Sequence, residues 1–136
     1  MNQSIRILIV DDNPYFLQAA REFLLVKGGL PLADVANSPE DALLQAEELQ
    51  PDLLLLDINL AGHSGLEFIP VLKQKLPGTR IIAMTMMQGS SYRSAALQAG
   101  ADQFVFKNEI NVKLLPIIEQ MIDSLIAQPP LQPPHR

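Results

Sequence analysis

Apolar runs and amphipathic segments alternate along the chain. Ile5 to Val10 is apolar and rich in branched residues apart from Arg6, and Leu53 to Leu56 is a run of four leucines. Arg80 to Thr85 carries Ile81, Ile82, Ala83 and Met84, and Phe104-Val105-Phe106 forms a shorter run. Such runs, bounded by turn residues, predict strands buried on both faces. Pro31 to Ala36 is a weaker strand, expected near a sheet edge because proline cannot donate to a ladder. Between these runs, apolar residues recur at helical spacing. The sets are Phe16, Ala19, Ala20, Phe23 and Leu24; Ala42, Leu43, Ala46 and Leu49; Leu66, Ile69, Leu72 and Leu76; and Leu114, Leu115, Ile118, Met121, Ile122 and Leu125. A short Ala-rich helix is expected between Gly89-Ser90-Ser91 and Gly100.

Boundary signals agree with this division. Asn13-Pro14 opens the first helix and Gly28-Gly29 stops it; Ser38-Pro39-Glu40-Asp41 caps the second, and Pro77-Gly78 ends the third. Pro70 is expected near the first turn of the third helix, where a missing N–H matters least, and Pro116 is expected within the first turn or so of the fifth or else to kink it. Five strand–helix units with short connections predict an α/β fold: (βα)5, a doubly wound parallel five-stranded sheet with helices on both faces. One domain is expected over residues 1–127. Residues 128–136 hold four prolines and read as a mobile tail or a truncated linker.

Composition narrows the classes. The chain has 136 residues, 48% of them hydrophobic and 18% charged, which suits a globular domain. A net charge of −5 argues against direct nucleic-acid binding. The absence of cysteine excludes disulfides, thiolate metal sites and a cysteine nucleophile. No signal peptide or membrane-length apolar run is present, so a cytoplasmic protein without a membrane role is expected. His63 and His135 read as surface residues without metal-site spacing.

The strand ends carry the chemistry. Asp11 and Asp12 follow the first strand, Asp57 ends the leucine run, Thr85 ends the fourth strand and Lys107 follows the fifth. In a parallel sheet all C-terminal ends lie on one rim, where ligands bind. Clustered carboxylates resist ionisation unless a cation is near, and hard oxygen donors suit Mg²⁺. A lysine and a hydroxyl beside them can hold a phosphoryl group, and a carboxylate can itself be the nucleophile. Each residue also has a plainer reading: Asp11 as a helix cap, Thr85 as an ordinary strand residue, Lys107 as a solvated charge, Phe104 as core.

Asp11-Asp12, Leu56-Asp57-Ile58-Asn59 with Gly65 following, Thr85, and Phe104-Val105-Phe106-Lys107 together resemble the receiver domain of two-component response regulators. The resemblance covers residues 4 to about 127. It implies the flavodoxin-like strand order 2-1-3-4-5. It implies that Asp57 accepts a phosphoryl group from a sensor histidine kinase or histidine phosphotransfer protein. Asp11, Asp12, Asp57 and the backbone carbonyl of Asn59 would hold Mg²⁺, and Lys107 would pair with a phosphoryl oxygen. Thr85 would move to the phosphoryl group, and Phe104 would turn inward behind it. The face of the fourth helix, fifth strand and fifth helix would then change its interactions with a downstream partner or a missing output domain. A monomer, or a weak homodimer through that face, is implied.

The chain departs from the family pattern at Ala61 and Asn108, where proline is frequent, and at Phe104, which lacks a hydroxyl. A non-proline cis bond is costly, so the Lys107–Asn108 geometry is left open. Apolar Met87 is a candidate for restricting water at the site. A phosphohydrolase is a second reading, disfavoured because Asn59 stands where a second carboxylate would be wanted. A pseudo-receiver interaction module is a third, and the receiver domain of a longer transcriptional regulator a fourth. The expected class is a phosphoacceptor switch with at most weak self-dephosphorylation, not an enzyme.

Overall fold

The structure is a computed structural model that describes residues 4–60 and 63–127. The expectations for Ala61, the side chains of His63 and Leu125, and the tail with His135 lie outside the described residues.

Four-residue β1 (Ile7–Val10) leads into α1 (Pro14–Val26), then β2 (Ala33–Ala36), α2 (Pro39–Leu49) and β3 (Leu53–Asp57). A two-residue hairpin, β4 (Asn59–Leu60) and β5 (His63–Ser64), follows before α3 (Gly65–Lys75). The chain continues through β6 (Arg80–Thr85), α4 (Ser90–Ala99), β7 (Gln103–Phe106), a 3₁₀ turn at Lys107–Glu109, and α5 (Ile110–Ala127). The main sheet is parallel throughout, in the order β2-β1-β3-β6-β7. Counting only its five strands, this is the expected order 2-1-3-4-5. The β4–β5 hairpin was not expected, since two-residue strands carry no detectable period.

Strand parity divides the core in two. Leu8, Val10, Leu54, Leu56, Ile81, Ala83 and Phe104 pack with Ala42, Ala46, Ile69, Leu72 and Ala96, toward α2, α3 and α4. Ile7, Ile9, Leu53, Leu55, Ile82, Met84 and Val105 pack with Leu17, Ala20, Leu24, Leu114 and Ile118, toward α1 and α5. The four leucines of β3 are 0–1% exposed. At about 1.5–3 kcal/mol per buried leucine, they anchor the strand firmly on both faces.

Two helical expectations need correction. The inward face of α1 is Leu17, Ala20 and Leu24, whereas Ala19 is exposed and Phe16 and Phe23 are half-buried. Ala20 and Leu24 belong to the helical set read in the sequence, and Leu17 joins them in place of Ala19. Pro70 and Pro116 lie in the second turns, inside α3 and α5, because these helices begin at Gly65 and Ile110. Each proline removes one N–H to the carbonyl four residues back. For Pro116 that carbonyl belongs to Val112, which is 68% exposed, so water can take the vacant acceptor.

Candidate functional site

Register builds the site. Val10 pairs with Leu56 across β1 and β3. The residues immediately beyond that pair are Asp11 and Asp57, so two carboxylates leave adjacent strands side by side. By parity Asp11, Asp57 and Lys107 continue the set that faces α1 and α5, whereas Thr85 continues the set that faces α2, α3 and α4.

Asp11 is fully buried and Asp57 is 4% exposed. Carboxylate oxygens of Asp11, Asp12 and Asp57 all lie within 4.8 Å of one another. The Lys107 ammonium, its side chain only 8% exposed, donates to Asp11 Oδ2 and, at 3.0 Å, to Asp57 Oδ2. Its Nζ also lies 4.2 Å from the Phe16 ring centroid, a cation–π contact that helps to hold it. Lys107 is therefore not a solvated strand-end charge. The remaining oxygens are aimed by the backbone: Asp11 Oδ1 accepts from Asn13 N at 2.9 Å, and Asp57 Oδ1 from Asn59 N at 2.8 Å. Asp11 is not the cap of α1. Asn13 is, its Oδ1 accepting from Tyr15 N and Phe16 N.

Electrostatics reflect a shortage of positive charge. Burial raises the Asp11 carboxyl above its ordinary range, and the neighbouring Asp57 charge adds to the rise. Hydrogen bonds from Lys107 and Asn13 oppose it without cancelling it. Burial works against the Lys107 ammonium, but the hydrogen bonds to Asp11 and Asp57 outweigh it and the pKa ends raised. One ammonium thus serves two buried carboxylates with a third beside them. This hard-oxygen donor set fits a magnesium-like cation, which favours carboxylate and carbonyl oxygen.

Thr85 is fully buried. Its Oγ1 accepts from Asn59 Nδ2 at 2.6 Å and from Met87 N at 3.0 Å. The sequence reading had a role only for the Asn59 backbone, and missed its amide; a contact across 26 residues leaves no local signal. Phe16, read as core, was missed as a prop for Lys107 in the same way. The Phe104 ring is 1% exposed and packs with Ala83 and Ala96 on the side of the sheet toward α2, α3 and α4, as its plainer reading as core expects. The ring meets Phe106 edge-on, centroids 4.9 Å apart, and the Arg93 guanidinium lies 5.5 Å from its centroid. No cis peptide occurs among the described residues, so the Lys107–Asn108 bond is trans. The turn there is made by the 3₁₀ segment.

The sequence profile of the response regulator receiver domain matches residues 7–119. The chain belongs to this family. GacA of Pseudomonas viridiflava is 33% identical to this receiver domain over 103 residues, which are 76% of this chain and 48% of GacA. The nitrate/nitrite response regulator NarL of Escherichia coli K12 is 30% identical over 114 residues, 84% of this chain and 53% of NarL. The receiver domain thus spans about half the length of these relatives. Among solved structures, a LuxR-family two-component response regulator from Aurantimonas sp. SI85-9A1 superposes with a TM-score of 0.80 at 29% identity, covering 88% of this chain and 85% of that one. A CheY-like receiver domain protein from Methanospirillum hungatei JF-1 gives 0.76 at 28% identity, covering 88% and 94%. Receiver domains are phosphorylation-dependent signalling switches of two-component systems, and they interact with histidine kinases or phosphotransfer proteins. They are signalling domains, not canonical enzymes. No helix among the described residues is long and apolar enough to cross a membrane.

Proposed function

We propose that this receiver domain is a phosphoacceptor switch whose reactive group is Asp57. The observation that carries the reading is the convergence of Asp11, Asp12 and Asp57 with Lys107 at one sheet rim. The donor is a phosphohistidine of a sensor kinase or phosphotransfer protein. A carboxylate oxygen of Asp57 forms the new O–P bond as the P–N bond breaks. The imidazole keeps the electron pair and takes a proton from water. Lys107, its ammonium 3.0 Å from Asp57 Oδ2, supplies the counter-charge that a transferred phosphoryl oxygen needs. Asp11, Asp12, Asp57 and the backbone carbonyl of Asn59 would hold Mg²⁺, which supplies charge neutralisation to the phosphoryl oxygens.

After transfer, Thr85 donates its hydroxyl proton to the phosphoryl group. Movement of β6 and of the loop after it reaches the face formed by α4, β7 and α5, on which Phe104 and Arg93 meet. That face docks a downstream partner, an output domain or a second copy. A local charge change biases a surface with two arrangements.

The test is incubation with Mg²⁺ and a small acyl-phosphate donor, followed by intact mass. One phosphoryl group is expected on the wild type and none on Asp57→Asn. An unlabelled wild type would favour a pseudo-receiver, and equal labelling of Asp57→Asn would move the acceptor elsewhere.

A further inference from the structure

The Asn59 side chain and Thr85 form a contact that phosphoryl transfer to Asp57 does not use. Asn59 is exposed, yet its amide nitrogen reaches the fully buried Thr85 Oγ1 at 2.6 Å. The same oxygen accepts from Met87 N at 3.0 Å. A threonine hydroxyl has two acceptor sites and one proton. Both acceptor sites are filled, from the segment after Asp57 and from the loop after Thr85. The hydroxyl is thus tied between the two segments that must shift relative to each other if Thr85 is to reach a phosphoryl group.

We propose that the Asn59 amide is a latch, a positioning residue that holds Thr85 in the resting arrangement and sets how readily the switch is thrown. This deepens the phosphoacceptor reading and rests on it. The short hairpin at Asn59–Leu60 and His63–Ser64 gives the latch its mount, with Asn59 paired to Ser64. The Asn59 backbone is fixed separately, its N–H donating to Asp57 Oδ1. Truncating the amide therefore leaves the backbone contacts at Asp57 in place. Breaking the latch costs the resting state a hydrogen bond to a buried oxygen. The freed amide of exposed Asn59 meets water, so the thrown state owes little to it. Removal of the amide therefore shifts the equilibrium toward the thrown state, by about twofold to tenfold for one ordinary hydrogen bond.

The experiment measures equilibrium binding of beryllium trifluoride with Mg²⁺, a phosphoryl analogue, to the full chain by calorimetry. Wild type, Asn59→Ala, Thr85→Ala and the double variant form a cycle. Asn59→Ala is expected to bind the analogue about twofold to tenfold more tightly than wild type. In the Thr85→Ala background the same change is expected to have no effect, because nothing remains to be latched. Equal or weaker binding by Asn59→Ala would overturn the latch. So would an effect that persists without Thr85, since it would place the Asn59 amide in direct contact with the analogue. A wild type that does not bind the analogue at all would overturn the phosphoacceptor reading instead.

Discussion

Among the described residues Lys107 is the one cation hydrogen-bonded to both buried carboxylates, and its charge can be removed without removing its bulk. Lys107→Met keeps an unbranched stem against Phe16 and deletes the ammonium that contacts Asp11 and Asp57. The three side chains are 8%, 0% and 6% exposed, so solvent screens their interaction little. Deleting one partner of a buried ion pair costs about 3–5 kcal/mol. The two hydrogen bonds share one ammonium and do not add, and Asp11 can relieve part of the cost by binding a proton, since its pKa is already raised. A loss of about 3 kcal/mol at neutral pH in chelator follows. For a chain of this size, at roughly 3–5 °C per kcal/mol, that is a fall in melting temperature of about 10 °C. Added Mg²⁺ should recover more stability in the variant than in the wild type, because the cation then meets three carboxylates with no competing ammonium. Thermal melts followed by circular dichroism, with and without Mg²⁺, measure both effects. Equal melting of the two proteins in chelator would refute the charge argument, and equal gains from Mg²⁺ would refute the idea that lysine and metal serve the same carboxylates.

Other substitutions test the mount of the site. A Cβ at Gly65 would lie 2.6 Å from Ile58 Cα and 2.7 Å from the Asp57 carbonyl oxygen, so Gly65→Ala must displace backbone beside the acceptor. It should cost about 1–3 kcal/mol in urea denaturation and slow labelling of Asp57, and an unchanged labelling rate would count against a role for this close approach in aiming the acceptor. Ser38→Ala removes the side chain that accepts from Asp41 N at the start of α2. About 1 kcal/mol of stability should be lost with no change in labelling, which separates scaffold from site. Asp102→Ala deprives Ile81 N and Lys73 of a shared acceptor at the β6–β7 side of the sheet. A loss of about 1–2 kcal/mol by denaturant titration is expected, with Mg²⁺ affinity unchanged.

The fold was legible because its signals are local and redundant. Leu53–Leu56 could hardly be other than a central strand, and Asn13-Pro14 and Ser38-Pro39 mark helix starts whose side-chain caps the structure contains. What was illegible had two causes. The inward faces of helices depend on how each helix lands on the sheet; the set read for α1 held Ala19 and not Leu17, and packing with Ile7, Ile9 and Leu55 buries Leu17 instead. The β4–β5 hairpin and the second-turn prolines depend on where α3 and α5 begin. The start of α3 is fixed by Gly65 N bonding back to Ile58 O, a contact outside any helical period.

The candidate site divides along the same line. That Asp11, Asp57 and Lys107 share a rim follows from strand ends in a parallel sheet, and that they share a face follows from parity. Both are consequences of a period of two, so counting residues from the buried runs is enough to place them. Thr85 falls on the opposite parity from Asp57, and the same counting separates it from the carboxylate it is expected to serve. Its hydroxyl oxygen is instead held by the Asn59 amide and the Met87 N–H. Under the proposed switch the end of β6 and the loop after it would move with Thr85, and Phe104 lies beside that path, paired across the sheet with Ala83 two residues before Thr85. The Phe104 ring is already buried, with the Arg93 guanidinium 5.5 Å from its centroid, so the proposed switch would be read in what surrounds the ring. Reading the proposed switch therefore calls for probes on Arg93 and on the exposed Met86 and Met87 of the loop after β6.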